Sequence, residues 1–274
     1  MEISVTLQAM EEELIVAAGY LTETVPPSGC LEAPVIPTED PSAASAHLTI
    51  PAYLSETYKW AYLTPASLAF FDHQWVVNTI LLGNYGQLER AVLTELRQGL
   101  RVLQPACVYG RFSSALARHV GRNGQLDVAD IAVIQVDNCQ RKLRDYHQAR
   151  VRVADAATTA GGLHDAICCF FLLHEVPEWK KQQIVNALLN RLASGGKLIF
   201  VDYHKPHRAH PLRWLISLTF ALLEPFARAL WQREIMDYAR NRELYQWRKE
   251  TYFGGMYQKV VVERAADTDG PVAA

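Results

Sequence analysis

The chain has 274 residues, of which 50% are hydrophobic and 20% are charged, so a chain that is disordered throughout is excluded. Its formal charge of −2 excludes the overall basic field that attracts nucleic acid to many of its binding proteins. Five cysteines without a C-x-x-C pair argue against a disulfide scaffold or a zinc ribbon and suit a reducing compartment. The first residues lack the pattern of a secretory signal, and we therefore expect a cytoplasmic protein.

The first hundred residues have two parts of different composition. Residues 25–51 hold six of the 13 prolines, and we expect residues 1–52 to form a flexible Pro-rich arm, since proline interrupts both helices and sheets. Residues 53–98 are predicted to form a helical lid. The positions that recur there at helical spacing are Leu68, Phe71, Trp75, Thr79 and Leu82, followed by Leu88, Val92 and Leu96.

Residues 99–206 alternate between strand and helix patterns. The predicted strands are 101–107, 125–130, 151–155, 165–171 and 197–202, and the predicted helices are 113–120, 133–145 and 178–193. This alternation is typical of an α/β fold with a Rossmann-like, doubly wound and mostly parallel sheet. Ligands of such sheets lie beyond the carboxyl ends of the strands, so residues 99–206 are the predicted cofactor-binding core.

The residues that follow are predicted to complete a single domain over 53–264. Residues 207–247 are predicted to be a long helical stretch, 251–264 a closing strand and 265–274 a disordered tail. Within the helical stretch, residues 211–231 carry apolar side chains at helical spacing between ends that contain arginine and tryptophan. That pattern favours an amphipathic helix lying in a membrane interface, with a lid helix packed on the domain as the alternative.

The carboxyl edge of the predicted sheet carries acidic residues and an unusual turn. Asp130, Asp155 and Asp202 stand at the ends of predicted strands. The carboxylate after the second strand is well placed to bind a ribose diol, and capping of the following helix is the alternative for each. The first strand-to-helix turn, where a nucleotide-binding fold usually has a Gly-x-Gly pattern, retains only Gly110 and by itself indicates a plain structural turn.

Taken in order, these segments resemble a class I S-adenosylmethionine-dependent methyltransferase. Val102-Leu103 to Gly110 corresponds to the V-L-D-x-G-C-G-x-G turn of that superfamily, Asp130-Ile131 to the acid that holds the ribose, and Asp155-Ala156 to the acid near the adenine. Leu173-His174-Glu175 is similar to its L-H-H segment, and Ser194-Gly195-Gly196 to its P-G-G segment. The cofactor-binding residues that the resemblance implies are Tyr58, Ala106, Cys107, Val108, Gly110, Asp130, Ile131, Asp155, Ala156 and Phe171.

Segments outside that core narrow the resemblance to the rhodoquinone biosynthesis protein family (RquA-type). They include Lys59-Trp60-Ala61-Tyr62, Gln74-Trp75-Val76-Val77-Asn78, His210-Pro211-Leu212-Arg213 and Phe253-Gly254-Gly255-Met256-Tyr257. The resemblance implies conversion of ubiquinone to rhodoquinone, in which an amino group replaces a ring methoxy group. It implies S-adenosylmethionine as the amino donor and manganese as a supporting metal. Because ubiquinone stays in the bilayer, it also implies a peripheral enzyme at the inner face of the cytoplasmic membrane.

Displacing methoxide from a quinone ring requires a polarised carbonyl group and a base that removes protons from the nitrogen. His174 and Glu175 are the candidates for proton removal, and Tyr62, Tyr203 and His174 are the candidates for hydrogen bonds to the carbonyl oxygen. Packing of His174 beneath the site and capping of a turn by Glu175 are the alternatives.

A histidine-rich loop follows the fifth predicted strand. His204, His207 and His210 recur at intervals of three beside Asp202. Manganese accepts both oxygen and imidazole ligands, so Asp202 and His204 are the candidate metal ligands. Because Pro206 interrupts any helix here, a basic loop that faces a phosphate group is the alternative.

Two further functions stay open. Gln104 and Val108 stand where the first turn usually has an acid and a glycine, and such a change suits either a different reacting atom or the loss of catalysis. The alternatives are therefore conventional S-adenosylmethionine-dependent methylation of a quinone or lipid, and a non-catalytic subunit of a quinone-biosynthesis assembly.

Overall fold

A computed structural model describes residue 51 and residues 65–158, 161–214 and 226–264 of the protein. Several predictions concern other residues. The Pro-rich arm, Tyr58, Tyr62, most of the proposed interfacial helix and the tail lie outside the described residues.

Seven strands form one sheet in the order β3-β2-β1-β4-β5-β7-β6. Strands β1 to β5 are parallel to one another, whereas β7 is antiparallel to both β5 and β6. The strands are β1 Arg101–Gln104, β2 Gln125–Asp130, β3 Ala149–Val153, β4 His164–Phe170, β5 Leu192–Tyr203, β6 Tyr245–Tyr252 and β7 Tyr257–Arg264. The α/β, Rossmann-like sheet predicted from the sequence is therefore confirmed.

Helices cover both faces of this sheet. In the described residues they are α1 Pro65–Phe71, α2 Gln74–Ile80, α3 Tyr85–Leu93, α4 Phe112–Val120, α5 Val133–Leu143 and α6 Glu178–Asn190. Successive residues of a strand point to opposite faces, so Val102 packs into the hydrophobic core beneath α3, α4 and α5. Its neighbour Leu103 packs into the second core, beneath α6. Two separate cores explain why the central strands read as nearly continuous apolar runs.

The prediction that the positions from Leu68 to Leu82 share one face of a continuous helix is wrong. The helix ends at Phe71 and a new one begins at Gln74, so the spacing of three and four does not run through the break. As a result Trp75 is 63% exposed, and the buried residue of α2 is Val76. The continuation at Leu88, Val92 and Leu96, which are all buried, is confirmed.

The helical stretch predicted over 207–247 is also wrong where the structure describes it. Short 3-10 helices cover 227–231, 235–238 and 242–244, and strand β6 begins at Tyr245. The sequence Arg248-Lys249-Glu250 conceals this strand, because a run of charged residues has low strand propensity. Strand β6 is an edge strand, where charged side chains discourage pairing with other chains.

Strand β5 is longer than predicted. Helix α6 ends at Asn190 and β5 begins at Leu192, so Ser194-Gly195-Gly196 lies within the strand instead of ending the helix. The pairing with β4 shifts register there, from His164 opposite Leu192 to Ala166 opposite Lys197. Such an irregularity accommodates the extra residues.

Candidate functional site

A pocket opens at the carboxyl edge of the parallel strands. Its walls come from the loops that follow β1, β2, β3 and β4, as expected for a doubly wound sheet. The predicted site residues on its walls are Ala106, Cys107, Asp130, Ile131, Asp155, Ala156, Phe171 and Glu175. Gln135 and Lys180 also line it and were not predicted, since neither belongs to a strand-end motif.

Asp130, the last residue of β2, holds the pocket's first wall in place. Its carboxylate oxygens accept hydrogen bonds from the backbone N–H of Cys107 and of Ala132, both at 2.8 Å. Burial raises the pKa of Asp130 from 3.8 to about 6. Each carboxylate oxygen has a second lone pair, so the group can bind the neighbouring loops and still accept a ligand hydroxyl.

Asp155 has a similar double role on the opposite wall. One oxygen accepts a hydrogen bond from the backbone N–H of Ala157 at 2.9 Å, and the other pairs with the ammonium group of Lys180. Lys180 is buried and comes from α6, so this ion pair ties the helix to the pocket. Asp155 thus caps a turn and not a helix, because the described residues between β3 and β4 contain no helix, and this bond does not exclude a ligand contact.

The turn after β1 uses its backbone donors within the protein. The N–H of Gly110 donates to Asp72 and that of Arg111 donates to Gln74, each at 3.0 Å. Gly110 has φ +78°, and a Cβ placed on it would lie 2.8 Å from the Gln74 side-chain oxygen, which explains why this glycine is retained. Neither Gly110 nor Val108 is among the residues that line the pocket. The structure thus separates these two predicted cofactor residues from the others.

Lys142 of α5 holds the carbonyl side of the same turn. Its ammonium group donates to Val108 O at 3.2 Å and to Gly110 O at 2.9 Å, and pairs with Asp72 at 2.7 Å. Asp72 also accepts a hydrogen bond from Asn138. Side chains of the protein therefore occupy both the backbone N–H groups and the backbone carbonyl groups of this turn. In a Gly-x-Gly turn, such backbone groups are available to a ligand.

Replacing Lys142 with Met should lower the free energy of unfolding by about 2 kcal/mol, because two carbonyl groups and one carboxylate lose a charged donor. Urea denaturation measures this change. Lys197→Met is the matched control, since Lys197 pairs with Glu95 and Glu263 at a more exposed position and should lose less than about 1 kcal/mol. Equal losses in the two variants would contradict a clamping role for Lys142.

Cys107 is a pocket residue whose thiol stays protonated. Its hydrogen bond with Cys139, followed by burial, raises the pKa of the Cys107 thiol above its usual range. The thiolate is the nucleophilic form of cysteine, so Cys107 is a poor candidate for covalent catalysis.

Asp202 and His174 form a buried pair next to the pocket. Asp202 is 1% exposed, and its carboxylate lies 2.9 Å from His174 Nδ1. The same carboxylate accepts hydrogen bonds from the backbone N–H of Leu173 and of Tyr203, both at 2.8 Å. Because an Nδ1–H that donates to a carboxylate fixes the imidazole tautomer, Nε2 is left as the basic nitrogen.

Glu175 links this pair to the pocket. One of its carboxylate oxygens lies 3.7 Å from His174 Nε2, and Glu175 itself lines the pocket. His174 is buried one layer behind the wall. The predicted catalytic residues His174, Glu175 and Tyr203 are thus brought together, since the ring of Tyr203 lies 4.8 Å from that of His174.

His174 belongs to a cluster of aromatic rings, which we call the aromatic cluster. Its members are Phe171, His174, Tyr203, Phe253 and Tyr257. The ring centroids of Phe171 and Tyr203 are 5.3 Å apart, and those of Tyr203 and Tyr257 are 5.7 Å apart. The cluster extends from the pocket, which Phe171 lines, to His210, whose ring lies 5.1 Å from that of Phe253.

Two members of the aromatic cluster have strained backbones. Phe171 has φ +51° and Phe253 has φ +47°, a region that costs a residue with a Cβ about 1–2 kcal/mol. Strain of this kind concentrates at functional sites because the surrounding structure must support it. The sequence carries no signal for it, since phenylalanine at such a φ is rare.

The two candidate metal ligands have other partners. Asp202 binds His174, while the ring of His204 lies 2.8 Å from Gly255 O through Nδ1 and 3.4 Å from Lys249 through Nε2. Within 65–158, 161–214 and 226–264, no cluster of three or more His, Cys, Asp or Glu side chains has a geometry that suits a metal ion. Manganese stays a prediction from the family resemblance.

A second pocket, which we call the basic cleft, lies between residues 204–208 and residues 230–234. Lys205, Arg208 and Arg233 line this cleft. Trp214, which follows residues 204–208 in the sequence, is 70% exposed. Trp231 packs against the hydrophobic core, so this end of the proposed interfacial segment does not face outward. In the part of the chain that the structure describes, no helix has the length and apolar character needed to span a bilayer.

Comparisons with known proteins agree with this geometry. A family model described as a methyltransferase domain matches residues 102–196, which run from β1 into β5. Ubiquinone/menaquinone biosynthesis C-methyltransferases UbiE from Yersinia pestis and Yersinia pseudotuberculosis are 30% identical over 119 residues. That alignment covers 40% of this chain and 45% of each relative, so the chain spans less than half the length of these curated relatives.

Solved structures share the fold at low sequence identity. An O-methyltransferase family protein from Burkholderia thailandensis superposes with a TM-score of 0.57 at 12% identity, covering 78% of this chain and 64% of that one. A putative O-methyltransferase from Nostoc punctiforme gives 0.51 at 16% identity, covering 67% and 58%. At such identities the likeness concerns the fold alone.

The pocket suits the adenosine half of S-adenosylmethionine, the cofactor that a methyltransferase domain implies. Asp130 stands at the end of β2 with free lone pairs for a diol, and Ile131 and Ala156 supply apolar walls. For the amino-acid half, one acceptor is conspicuous. Gln104 Oε1 is fully buried and has no hydrogen-bond partner among the described residues, while its Nε2 donates to Ala106 O at 2.7 Å. Gln104 does not line the pocket, so this acceptor lies behind the wall that Pro105 and Ala106 form.

Proposed function

We propose that the protein is an S-adenosylmethionine-dependent enzyme of quinone biosynthesis, because a methyltransferase-domain model matches residues 102–196 and quinone C-methyltransferases are 30% identical over 119 residues. Its reaction replaces a ring methoxy group of ubiquinone with an amino group and so leads to rhodoquinone. The observation that carries the proposal is the aromatic cluster around a buried His174–Asp202 pair beside the cofactor pocket. Planar aromatic side chains offer stacking and edge contacts to a planar ring.

The proposed exchange proceeds by addition and elimination. A nitrogen adds to the ring carbon that bears the methoxy group, and the ring carbonyl oxygen takes up the electron pair. The electron pair then returns from the carbonyl oxygen to the ring, and the bond between the ring carbon and the methoxy oxygen breaks. Methoxide leaves as methanol, with a proton that came from the nitrogen. S-adenosylmethionine, held by Asp130 and the neighbouring pocket walls, would supply this nitrogen. Exchange of its carbon–nitrogen bond for a carbonyl group with oxygen from water would provide the two electrons that reduce the ring to the hydroquinone.

Residues of the chain supply the proton transfers. Glu175 on the pocket wall accepts the proton from the nitrogen and returns it to the leaving methoxide, and His174 Nε2, 3.7 Å behind Glu175, shares that proton in between. Asp202 stabilises the imidazolium form of His174.

Methylation of a quinone ring carbon is the second candidate. The match to a methyltransferase domain and the 30% identity to UbiE enzymes favour it. The turn after β1 favours amination instead, because its donors and acceptors are occupied by Asp72, Gln74 and Lys142. An amino-acid group held in a different way is consistent with a different reacting atom.

A membrane contact is part of the same proposal, since a polyisoprenoid quinone stays in the bilayer. The basic cleft offers positive charge and Trp214 offers an exposed aromatic side chain, and both suit an anionic interface at the inner face of the cytoplasmic membrane. Flotation with anionic phospholipid vesicles tests this part. We expect the protein in the floating fraction, and recovery entirely from the bottom fraction would contradict it.

Mass spectrometry of the product separates the candidate functions. The purified protein is incubated with ubiquinone, S-adenosylmethionine and manganese. Loss of the methoxy group with gain of an amino group supports the proposed reaction, whereas gain of a methyl group supports methylation. Retained cofactor binding without a product supports the third interpretation, a non-catalytic subunit.

A further inference from the structure

The hydroxyl group of Tyr257 is buried and unpaired. Tyr257 is 0% exposed, and its hydroxyl oxygen finds no hydrogen-bond partner in the described part of the chain. Burial raises the pKa of Tyr257 above its usual value, so the phenol stays neutral and retains its O–H. Native proteins satisfy most buried polar groups, and an exception calls for an explanation.

Tyr257 lies in the aromatic cluster, close to the predicted catalytic residues. Tyr257 is the first residue of β7 and pairs with Tyr203 of β5. Its ring lies 5.7 Å from that of Tyr203 and 5.9 Å from that of Phe171. Phe171 lines the cofactor pocket, and Tyr203 contacts His174. The unpaired donor therefore belongs to the aromatic cluster, next to the proposed catalytic residues.

We propose that Tyr257 donates a hydrogen bond to a carbonyl oxygen of a planar quinone ring that binds against the aromatic cluster. The class of ring rests on the proposed function, and the donor itself rests on the unpaired hydroxyl. A neutral phenol can donate to an oxygen that only accepts, as a quinone carbonyl does. A buried donor left unpaired also disfavours rings without an acceptor, so Tyr257 selects for the carbonyl group.

Tyr257→Phe separates this role from a structural one. The variant removes only an unpaired hydroxyl, so the melting temperature of the ligand-free protein should stay the same or rise. The dissociation constant of a ubiquinone with a two-unit isoprenoid tail should increase at least about tenfold, measured by quenching of tryptophan fluorescence. Tyr252→Phe is the matched control on the neighbouring strand, where the hydroxyl group donates to Glu250 at 2.8 Å. This control should lower the melting temperature and leave quinone binding unchanged.

Each other outcome overturns a defined part of the inference. A Tyr257→Phe variant that melts as early as Tyr252→Phe would show that the hydroxyl stabilises the fold. A variant that stays stable and binds the quinone as tightly as wild type would remove Tyr257 from the ring contact, while the proposed substrate would stand. Absence of quinone binding by the wild-type protein would overturn the substrate and this inference together.

Discussion

Asp202→Asn should lower the turnover number by about two to four orders of magnitude, while the protein stays folded. The carboxylate accepts a hydrogen bond from His174 Nδ1 at 2.9 Å. An amide can turn its NH₂ group toward Nδ1, which favours the tautomer that carries its proton on Nε2. That nitrogen then accepts no proton from Glu175. Because three backbone N–H groups also donate to Asp202, the free energy of unfolding should fall by about 1–3 kcal/mol.

The tautomer of His174 is the decisive measurement, since a merely structural role would leave it unchanged. Nitrogen-15 spectra of the imidazole should show the proton on Nδ1 in wild type and on Nε2 in Asp202→Asn. Asp165→Asn is the control, because Asp165 accepts a backbone hydrogen bond from Arg101 at 2.8 Å without contact to His174. That variant should lose stability and keep its turnover number. A turnover number of Asp202→Asn within about threefold of wild type would contradict the base role of His174.

Periodicity was sufficient to predict the parallel half of the fold. Strand β2 was predicted with its observed limits, 125–130, because a strand covered on both faces and followed by helix signals has few alternative interpretations. The break between α1 and α2 at Asp72 and His73 was missed, since no proline or glycine marks it. Strand β6 was missed because its pairing with β7 is antiparallel and its side chains are mostly exposed.

In the candidate site, too, residues marked by a local sequence feature were predicted, whereas residues that meet only in the folded protein were not. Asp130 and Asp155 were found because a strand end is a local feature that fixes where a side chain lies. Asp72 and Lys142 were missed because they are 70 positions apart in the sequence and meet only when α5 packs beside the turn. Tyr257 was missed for the same reason, since its unpaired hydroxyl depends on packing against Tyr203 and Phe171. Contacts between residues that are far apart in the sequence cannot be predicted from the spacing of residues along the chain.

Asp130→Ala should weaken the binding of S-adenosylmethionine by about 10- to 100-fold, because the ribose hydroxyls lose a charged acceptor. Isothermal titration calorimetry measures the change. Asp127→Asn is the control on the same strand, where the carboxylate pairs with His164 and Arg101 at the opposite end of the sheet. That variant should be less stable and bind the cofactor as wild type does. Unchanged affinity of Asp130→Ala would remove Asp130 from the site.

The pH dependence provides a sharper test of Asp130, because affinity and stability should move in opposite directions. Its pKa in the folded protein is raised from 3.8 to about 6, so folding favours the protonated form. The contribution of this group to stability therefore increases as the pH falls from above 6 toward 4. Cofactor affinity should decrease over the same range, because protonation removes the charged acceptor. In Asp130→Asn, which does not titrate, both trends should disappear, and a wild-type affinity that is constant from pH 7 to about pH 5 would contradict the ribose contact.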